Sequence, residues 1–476
     1  MRTSGILMPI FSLPSPYGIG SFGAEGYRFV DFLKKAKQSY WQILPLGPTS
    51  YGDSPYQSFS SFAGNPYFID IDLLINEGLL TKEEAKNADF GKDNFKIDYE
   101  KLYNERFPLL KKAFGRFEPN AEYESFCLDN SEWLDNYALF MALKEQNGGK
   151  AWNEWESEEL KDNRALLFHK FLQFKFFSQW HKLKKYANEN GIKIIGDLPI
   201  YVALDSTDVW ANKEQFLIKN NKPTMVAGCP PDAFCEDGQL WGNPLYDWKK
   251  MKADGYLFWK KRLKAALETF DVVRIDHFRG FESFYAVPAT DETAKNGKWL
   301  KGPDIAFFKE MEKHFGGNLP IIAEDLGFLT DAVYKMLKKS GYPGMKVLQF
   351  AFDSREENDY LPHNYDKNCV VYTGTHDNDT IMGWTKTAPA ADVRQAEKYL
   401  NCKADNGFNF AMIRAALSSV ADTAIIMMPD LLGLSSEARI NTPAVLGGNW
   451  LWRIDGICIN DWLAEIVSDL TETYGR

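Results

Sequence analysis

The sequence has few cysteines, and their spacing suggests neither disulfide bonds nor a metal site. Six cysteines are scattered along 476 residues without a CxxC pair. In a chain of this length, such spacing predicts reduced thiols in a cytoplasmic protein, with neither disulfides nor structural zinc.

Long hydrophobic runs and basic tracts are also missing. No stretch approaches the roughly 20 apolar residues of a membrane-spanning helix. The opening segment, MRTSGILMPIFSLPSPYGIG, is broken by prolines and lacks the sustained apolar run of a signal peptide. The formal charge of −10 is spread along the chain and leaves no basic face for nucleic acid. We therefore expect no membrane or nucleic-acid partner, and a ligand that is neutral or cationic.

Aromatic side chains, in contrast, are plentiful. They make up 15% of the residues, with 14 Trp and 22 Tyr. Trp and Tyr favour sugar-binding clefts because each combines a flat apolar face with a polar edge. They are also common in hydrophobic cores, and composition alone favours the interpretation that most of them are core residues.

Short apolar runs alternate with helical patterns along most of the chain. The runs end in Gly, Pro or acidic residues, and they are SYWQILPLGP, IKIIGDLPIYV, FDVVRIDHFRG, LPIIAEDLG, MKVLQFAF, CVVYTGTHDND and TAIIMMPDLLG. Continuous apolar strands are typical of a parallel sheet buried on both faces. Their alternation with helices, such as 329–340 and 392–401, predicts βαβ units, and hence a barrel or an open α/β sheet.

Residues 76–183 interrupt this alternation. They are rich in Lys, Glu, Phe and Trp at helical spacing and show little sign of strands. We interpret them as a mostly helical insertion beside the sheet. Because no repeat, low-complexity tract or linker is visible, residues 1–476 are expected to form a single catalytic unit.

Three of the apolar runs place acidic residues at strand ends: Asp276 at the first, Glu324 and Asp325 at the second, and Asp377 and Asp379 at the third. Arg274 and Asp276 share one face of their strand, so the arginine is expected to keep the carboxylate ionised, as a glycosidic nucleophile requires. Glu324 can serve as a general acid if the cleft raises its pKa. Each motif alone also fits a structural ion pair or a helix cap. Three together favour catalysis, because the active sites of barrels lie at this face.

Two weaker signals point to cofactors. GIGSFG matches the dinucleotide fingerprint, but it follows a proline-rich segment and lacks an acidic ribose partner. His277 and His376 have no metal-ligand spacing to a second cluster. They are expected to hydrogen-bond substrate hydroxyls, since paired carboxylates supply the proton chemistry. We therefore expect neither a metal nor an organic cofactor.

Two segments look like binding surface. GPTSYGDSPYQSFSSFAGNPY is dense in Tyr, Ser and Gly, and residues 228–244 combine turn residues with aromatic ones. Long irregular loops are usually functional or disordered, and aromatics disfavour disorder. We interpret residues 228–244 as a lid or a sugar-stacking wall, with a packed surface loop as the alternative.

The motifs as a set resemble the amylomaltases (4-α-glucanotransferases), a family of the α-amylase superfamily of glycoside hydrolases. They occur in the family's order over nearly the whole chain: GILMPIFSLPSPYGIGSFG, WQILPLGPTSYGDSPYQSFSSFAGNPY, GDLPIYV, PPDAFCEDGQLWGNPLY, VRIDHFRG, AEDLG, TGTHDNDT and GNWLWR. The resemblance implies a (β/α)₈ TIM barrel with largely helical inserted subdomains and an active-site loop over residues 228–244. The chain departs from the family pattern at Ala444, where many members carry Gly.

The resemblance also implies a function. A segment of an α-1,4-glucan would pass to the 4-hydroxyl of an acceptor glucose or glucan with retention of configuration, so that α-1,4-glucans and maltooligosaccharides are the expected partners. By position, the nucleophile is Asp276, the general acid/base is Glu324 and the transition-state stabiliser is Asp377. The positions that match the family's substrate contacts are Arg274, His277, His376, Tyr51, Asp53, Ser54 and Trp241. The alternatives are a hydrolase with the same three acids and a catalytically silent glucan-binding scaffold.

Overall fold

A computed structural model describes residues 2–231, 236–327, 329–355 and 358–476. Within these ranges, strands form mainly from the short apolar runs. In chain order they are β1 (Thr3–Leu7), β2 (Tyr40–Gln42), β3 (Lys193–Leu198), β4 (Ile218–Lys219), β5 (Lys222–Pro223), β6 (Met225–Cys229), β7 (Gln239–Pro244), β8 (Val272–Ile275), β9 (Ser283–Pro288), β10 (Lys298–Lys301), β11 (Ile321–Ala323), β12 (Gly344–Val347), β13 (Cys369–Tyr372) and β14 (Thr423–Met427).

The described residues include an eight-stranded parallel sheet that closes into a barrel. Its order is β11-β8-β3-β2-β1-β14-β13-β12, which follows the chain around the circle. The Ala323 N–H donates to the Pro343 carbonyl, at 2.9 Å, and so joins β11 to the segment that enters β12. The fold is therefore the predicted (β/α)₈ barrel and not an open sheet.

Seven of the barrel strands lie in the apolar runs identified from the sequence, and β1 is the exception. Its sequence, TSGIL, is short, and Gly5 and Ser4 weaken the strand signal. The position of β1 between β2 and β14 explains why it forms, because both of its edges are hydrogen-bonded and four of its five residues are buried. Tertiary pairing here outweighs local propensity.

Helices surround the barrel and fill the long connections between strands. They are α1 (Ala24–Lys35), α2 (Ile71–Asn76), α3 (Lys82–Lys86), α4 (Tyr99–Lys101), α5 (Phe107–Arg116), α6 (Ala121–Asp129), α7 (Ser131–Gln146), α8 (Asn163–Glu189), α9 (Thr207–Ala211), α10 (Trp248–Ala253), α11 (Leu257–Thr269), α12 (Ile305–Phe315), α13 (Asp331–Ser340), α14 (Ile381–Thr387), α15 (Ala390–Leu400), α16 (Phe408–Ser418), α17 (Met428–Leu431) and α18 (Asp461–Thr473). None of the helices in the described ranges is long and apolar enough to cross a membrane.

Helices α2 to α8 lie between β2 and β3, the region that the sequence marks as helical from 76 to 183. The run begins earlier, at Ile71, and α8 continues to Glu189. The extension has a structural reason, because α8 leads directly into β3 and its Trp180 ring nitrogen donates to the Thr269 carbonyl on the barrel side (3.2 Å). The C-terminal part of α8 thus acts as a barrel helix.

A second sheet, of four antiparallel strands, has the order β10-β9-β6-β7. Its strands β6 and β7 come from the connection after β3, and β9 and β10 come from the connection after β8, which also carries Asp276. This sheet is absent from the expectation derived from sequence. Its strands carry Gly, Pro, Asn and Lys, which are uncommon in strands, and they depend on pairing with one another.

Candidate active site

A groove of about 1030 Å³ lies over the carboxyl ends of the barrel strands. Its lining comes from the segments that follow β2, β3, β8, β13 and β14, and from β7. Pockets for drug-sized ligands span roughly 300–1,000 Å³, so this groove has room for an extended molecule. Asp276, His277, His376 and Asp377 are among its lining residues.

The base of the groove contains a buried arginine between two carboxylates. Strand register pairs Asp197 of β3 with Arg274 of β8. The Arg274 Nη1 donates to both oxygens of Asp197, at 2.8 and 2.7 Å, and lies 3.0 Å from Asp276 Oδ1. Arg274 and Asp197 are 4% and 3% exposed. We call Asp197, Arg274, Asp276 and Glu324 the acid floor.

Asp276 has Arg274 beside it, as the strand pattern predicts, and its pKa is nevertheless raised. Burial raises the pKa of Asp276 to about 6, although the Arg274 guanidinium opposes the rise. Arg274 also forms an ion pair with Asp197, so it stabilises the ionised form of Asp276 less than it would without that partner. Asp276 is therefore largely ionised at neutral pH, but its pKa lies closer to 7 than it would if Arg274 paired with Asp276 alone.

Glu324 follows β11 and is 9% exposed. Its Oε2 accepts the His277 backbone N–H at 2.6 Å, and its Oε1 accepts that of Leu326 at 2.8 Å. Burial and then the neighbouring Asp276 charge raise the pKa of Glu324 to about 8. A carboxyl of this kind holds its proton at neutral pH, as a general acid must.

Strand pairing makes Asp276 and Glu324 neighbours. Parallel strands β8 and β11 pair Ile275 with Ala323, so the next residues on each strand, Asp276 and Glu324, stand side by side. The Glu324 N–H donates to the Ile275 carbonyl at 3.0 Å and continues the ladder. Adjacent strands lie about 4.8 Å apart. The fold thus sets two carboxyl groups close together with different pKa values.

A second group of side chains forms one wall of the groove. Asp377 Oδ1 accepts the Asn441 side-chain amide at 2.6 Å, and the Asp377 carbonyl accepts Arg439 Nη2 at 2.8 Å. The Asp377 side chain is 47% exposed, compared with 29% for Asp276 on the floor. We call Tyr56, His376, Asp377 and Asn441 the Asp377 wall.

Tyr56 connects this wall to the acid floor. Its ring stacks on His376, with centroids 4.8 Å apart and an interplanar angle of 18°. Its hydroxyl donates to Asp197 Oδ2 at 2.7 Å and lies 3.3 Å from His376 Nδ1. The orientation of the imidazole is therefore fixed by a residue that is itself held by the floor.

One buried carboxylate holds both ends of the segment that carries Asp377. Asp430 is fully buried and accepts the Thr373 hydroxyl and the Ile381 backbone N–H, each at 2.7 Å. Thr373 follows β13, and Ile381 begins α14. Burial raises the pKa of Asp430 to about 7. This anchor explains how a short irregular segment is kept in place.

His277 and Trp241 meet on the opposite side of the groove. Their rings are 4.9 Å apart at 88°, an edge-to-face contact. His277 has a φ of 48°, in the left-handed region, and this conformation directs its N–H toward Glu324. Burial lowers the pKa of His277 to about 3, so the imidazole is neutral at pH 7 and can donate or accept one hydrogen bond on each nitrogen.

The segment predicted around Tyr51 is only partly described. Ser54 lines the groove. Asp53 has a positive φ of 57°, and its charge acts on Tyr67, whose pKa is raised first by burial and then by Asp53. The side chain of Tyr51 lies outside what the structure describes, so its predicted role stays a prediction.

Residues 228–244 form less of a loop than the sequence suggests. All of β7 falls within this range, and it pairs antiparallel with β6 across a register shift between Val226 and Gly228. Residues 232–235 lie outside the described residues. Glycines and prolines hide the strand pattern, because edge strands tolerate them better than central ones do. Trp241 is thus held on a strand at the edge of the four-stranded sheet.

Several residues of the site were not singled out from the sequence. Asp197 had the same signal as the predicted acids, an acidic residue at the end of an apolar run. Tyr56, Arg439 and Asn441 carried no comparable local signal, because their contacts join distant segments. Ala444, on the groove lining, has a φ of 61°, a conformation that favours glycine. No group of three His, Cys, Asp or Glu in the described residues is placed to hold a metal ion.

Comparisons with known proteins agree with this geometry. A family model described as 4-alpha-glucanotransferase, glycoside hydrolase family 77, matches residues 8–459. The chain is 49% identical to the 4-alpha-glucanotransferase of Clostridium butyricum, over 98% of this chain and 100% of the relative. It is 47% identical to that of Thermus thermophilus, over 95% of each.

Solved structures give the same result. An amylomaltase from Streptococcus agalactiae, in complex with acarbose, superposes with a TM-score of 0.97 at 38% identity and covers 100% of both chains. Because sequence, fold and site agree over the whole length, the chain belongs to the 4-α-glucanotransferases, the amylomaltase family of glycosyltransferases.

Proposed function

We propose that this enzyme transfers a segment of an α-1,4-glucan to the 4-hydroxyl of an acceptor glucose or glucan by double displacement. Asp276 is the nucleophile, Glu324 is the general acid and then the general base, and Asp377 stabilises the transition state. Glycosidic chemistry with retention uses two carboxyl groups in these roles.

In the first step, an Asp276 carboxylate oxygen bonds to the anomeric carbon while the bond to the glycosidic oxygen breaks. Glu324 gives its proton to that oxygen, and the leaving chain departs with a free 4-hydroxyl. In the second step, Glu324 takes the proton of an acceptor 4-hydroxyl as its oxygen attacks the anomeric carbon. The bond to Asp276 breaks, and both carboxyl groups return to their starting states.

The observation that carries this proposal is the pairing of Asp276 and Glu324 on adjacent strands. A spacing near 4.8 Å between strands fits the separation of about 5–5.5 Å typical of retaining enzymes better than the 6.5–9.5 Å of inverting ones. The pKa values, about 6 and about 8, also divide the roles, because one group is ionised and the other protonated at neutral pH.

The Asp377 wall supports a role in binding rather than in proton transfer. Asp377 has one oxygen engaged by Asn441, and about half of its side chain remains exposed. Hydrogen bonds from sugar hydroxyls to such a carboxylate strengthen as positive charge develops on the sugar ring. His376 is held by Tyr56 and is available to the same hydroxyls.

We also propose a cytoplasmic location. The cysteines Cys127, Cys369, Cys402 and Cys458 are free thiols, which persist in a reducing compartment.

Incubation with maltotriose tests the proposal. A transferase gives glucose together with chains longer than maltotriose, a hydrolase gives only shorter sugars, and a silent scaffold leaves the sugar unchanged. We expect longer products, as measured by chromatography of the reaction over time. Their absence under conditions in which maltotriose is consumed would show that water is the acceptor.

A further inference from the structure

The groove extends from the catalytic acids to the helical insertion. Its lining includes Lys144 and Gly149, at the C-terminal end of α7, and Asp205, which follows β3. Among the described contacts, neither charged side chain reaches Asp276, Glu324 or Asp377. This outer end of the groove is therefore separate from the three acids.

Lys144 and Asp205 form an ion pair here, with Nζ and Oδ2 2.5 Å apart, and we call them the outer pair. The Lys144 ammonium also donates to the Lys150 carbonyl at 3.1 Å and lies 5.0 Å from the centre of the Phe59 ring. Three different segments thus fix the position of one ammonium group.

The carboxylate of the outer pair is fixed equally well. Asp205 Oδ1 accepts the Trp152 backbone N–H at 3.2 Å, and the Trp152 indole N–H donates to the neighbouring Leu204 carbonyl at 2.7 Å. Trp152 is 2% exposed. The outer pair is thus held in one geometry before any ligand arrives, which lowers the entropic cost of binding.

The outer pair remains accessible from the groove. The side chains of Lys144 and Asp205 are 11% and 28% exposed. An ammonium carries three donors, and a carboxylate oxygen accepts more than one hydrogen bond. Together they present a donor and an acceptor at fixed positions, which matches the vicinal hydroxyls of a sugar ring. Stability alone explains such a pair poorly, because partly buried ion pairs contribute little once desolvation is counted.

We infer that Lys144 and Asp205 form a distal glucan subsite, which binds the hydroxyls of a glucose unit several positions from the cleaved bond. This inference rests on the proposed function and adds chain-length selectivity to it. Short glucans end before the outer pair, whereas longer ones reach it. The insertion helix α7 thereby serves the active site directly.

Binding to a catalytically disabled enzyme tests the subsite without interference from turnover. In an Asp276→Asn background, Kd is measured by calorimetry for maltotriose and for maltoheptaose. We expect maltoheptaose to bind more tightly, and Lys144→Met to reduce the ratio of the two affinities by about tenfold, the effect of one charge-assisted hydrogen bond. Asp205→Asn keeps the side-chain volume and should reduce the same ratio if Lys144→Met folds poorly.

The matched control is Glu132→Gln. Glu132 lies on the same helix α7 and forms an ion pair with Lys261 of α11, outside the groove lining. This variant should leave the affinity ratio unchanged. Lower Tm values for the outer-pair variants with an unchanged ratio would overturn the inference and leave a purely structural ion pair. If the Asp276→Asn parent binds neither sugar, the proposed function itself fails.

Discussion

The acid floor and the Asp377 wall face the same groove but control their carboxylates in different ways. On the floor, burial and mutual charge set the protonation states, with pKa values of about 6 for Asp276 and about 8 for Glu324. On the wall, hydrogen bonds from Asn441 and Arg439 set the position of an Asp377 that stays half-exposed. The floor therefore suits the proposed proton chemistry, and the wall suits the orientation of a ligand.

This difference predicts how each region responds to mutation. A change on the floor removes a reacting group or its proton, so activity should collapse while the fold survives. A change on the wall loosens a contact to the sugar, so activity should fall by smaller factors.

Asp276→Asn should lower kcat by about 10⁴-fold or more, because the covalent route loses its nucleophile. Arg274 keeps its two contacts with Asp197, so the floor stays paired. Tm should not decrease, because burial disfavours the charge that the substitution removes. Steady-state kinetics on maltotriose and thermal unfolding check both points. A large drop in Tm would mean that Asp276 is mainly structural.

Glu324→Gln should lower kcat on maltooligosaccharides by about 10²–10⁴-fold, the usual contribution of general acid catalysis. The loss should be much smaller on α-maltosyl fluoride, because fluoride leaves without a proton. With that substrate, the covalent sugar ester on Asp276 should accumulate and be visible by mass spectrometry. Equal losses on the two substrate types would contradict the acid role.

The floor also predicts a bell-shaped pH profile of kcat/KM, with limbs near 6 and 8. Activity requires Asp276 ionised and Glu324 protonated, so it should fall about tenfold per pH unit outside the limbs. Glu324→Gln should lose the alkaline limb. A profile without an alkaline limb in the unmodified enzyme would argue against a protonated Glu324.

Unfolding provides an independent check of the same pKa. Because the pKa of Glu324 is higher in the folded state than in the unfolded state, the protonated side chain stabilises the fold. This stabilisation is fully present below the ordinary pKa of 4.5 and is lost as the pH rises through about 8. Glutamine has no proton to lose. The free energy of unfolding of Glu324→Gln, relative to the unmodified enzyme, should therefore increase over this window and level off above it.

The two regions also differ in how well the sequence predicts them. Asp276 and Glu324 each follow an apolar run, and strand pairing brings together residues that the pattern had already marked. The wall depends on Asn441 and Tyr56, whose contacts reach Asp377 and His376 across the fold. No local pattern encodes such contacts. The same reason explains why the sequence does not predict β1 and the four-stranded sheet, since these strands form through pairing with other strands more than through local propensity.

Asn441→Ala should lower kcat/KM by about tenfold, because Asp377 loses the amide that orients it. The backbone N–H of residue 441 still donates to the His376 carbonyl at 3.0 Å, so the wall keeps its overall course. Asn364→Ala is the matched control, since the Asn364 side-chain amide donates to the Asn358 carbonyl at 3.1 Å, outside the groove lining. Equal losses in the two variants would assign Asn441 a role in stability only.

Trp241→Ala should have the smallest effect on total rate but should change the fate of the intermediate. Water is far more concentrated than any sugar, so transfer depends on holding an acceptor in place and excluding water. Trp241 lines the groove and packs edge-to-face on His277, the residue whose N–H binds Glu324. Removing the indole opens the groove beside His277. We expect the ratio of hydrolysis to transfer to rise about threefold, within the effect of one aromatic contact.

The measurement compares the rate of new reducing ends with the rate of glucose release from maltotriose. Trp241→Phe keeps a ring against His277 and should restore most of the selectivity, which separates a stacking role from simple space filling. Trp299→Ala is the control on the opposite edge strand of the same sheet, where Arg279 covers the indole at 3.9 Å. If both rates fall in parallel in Trp241→Ala, this residue does not select the acceptor, and the distinction between water and sugar must arise within the acid floor.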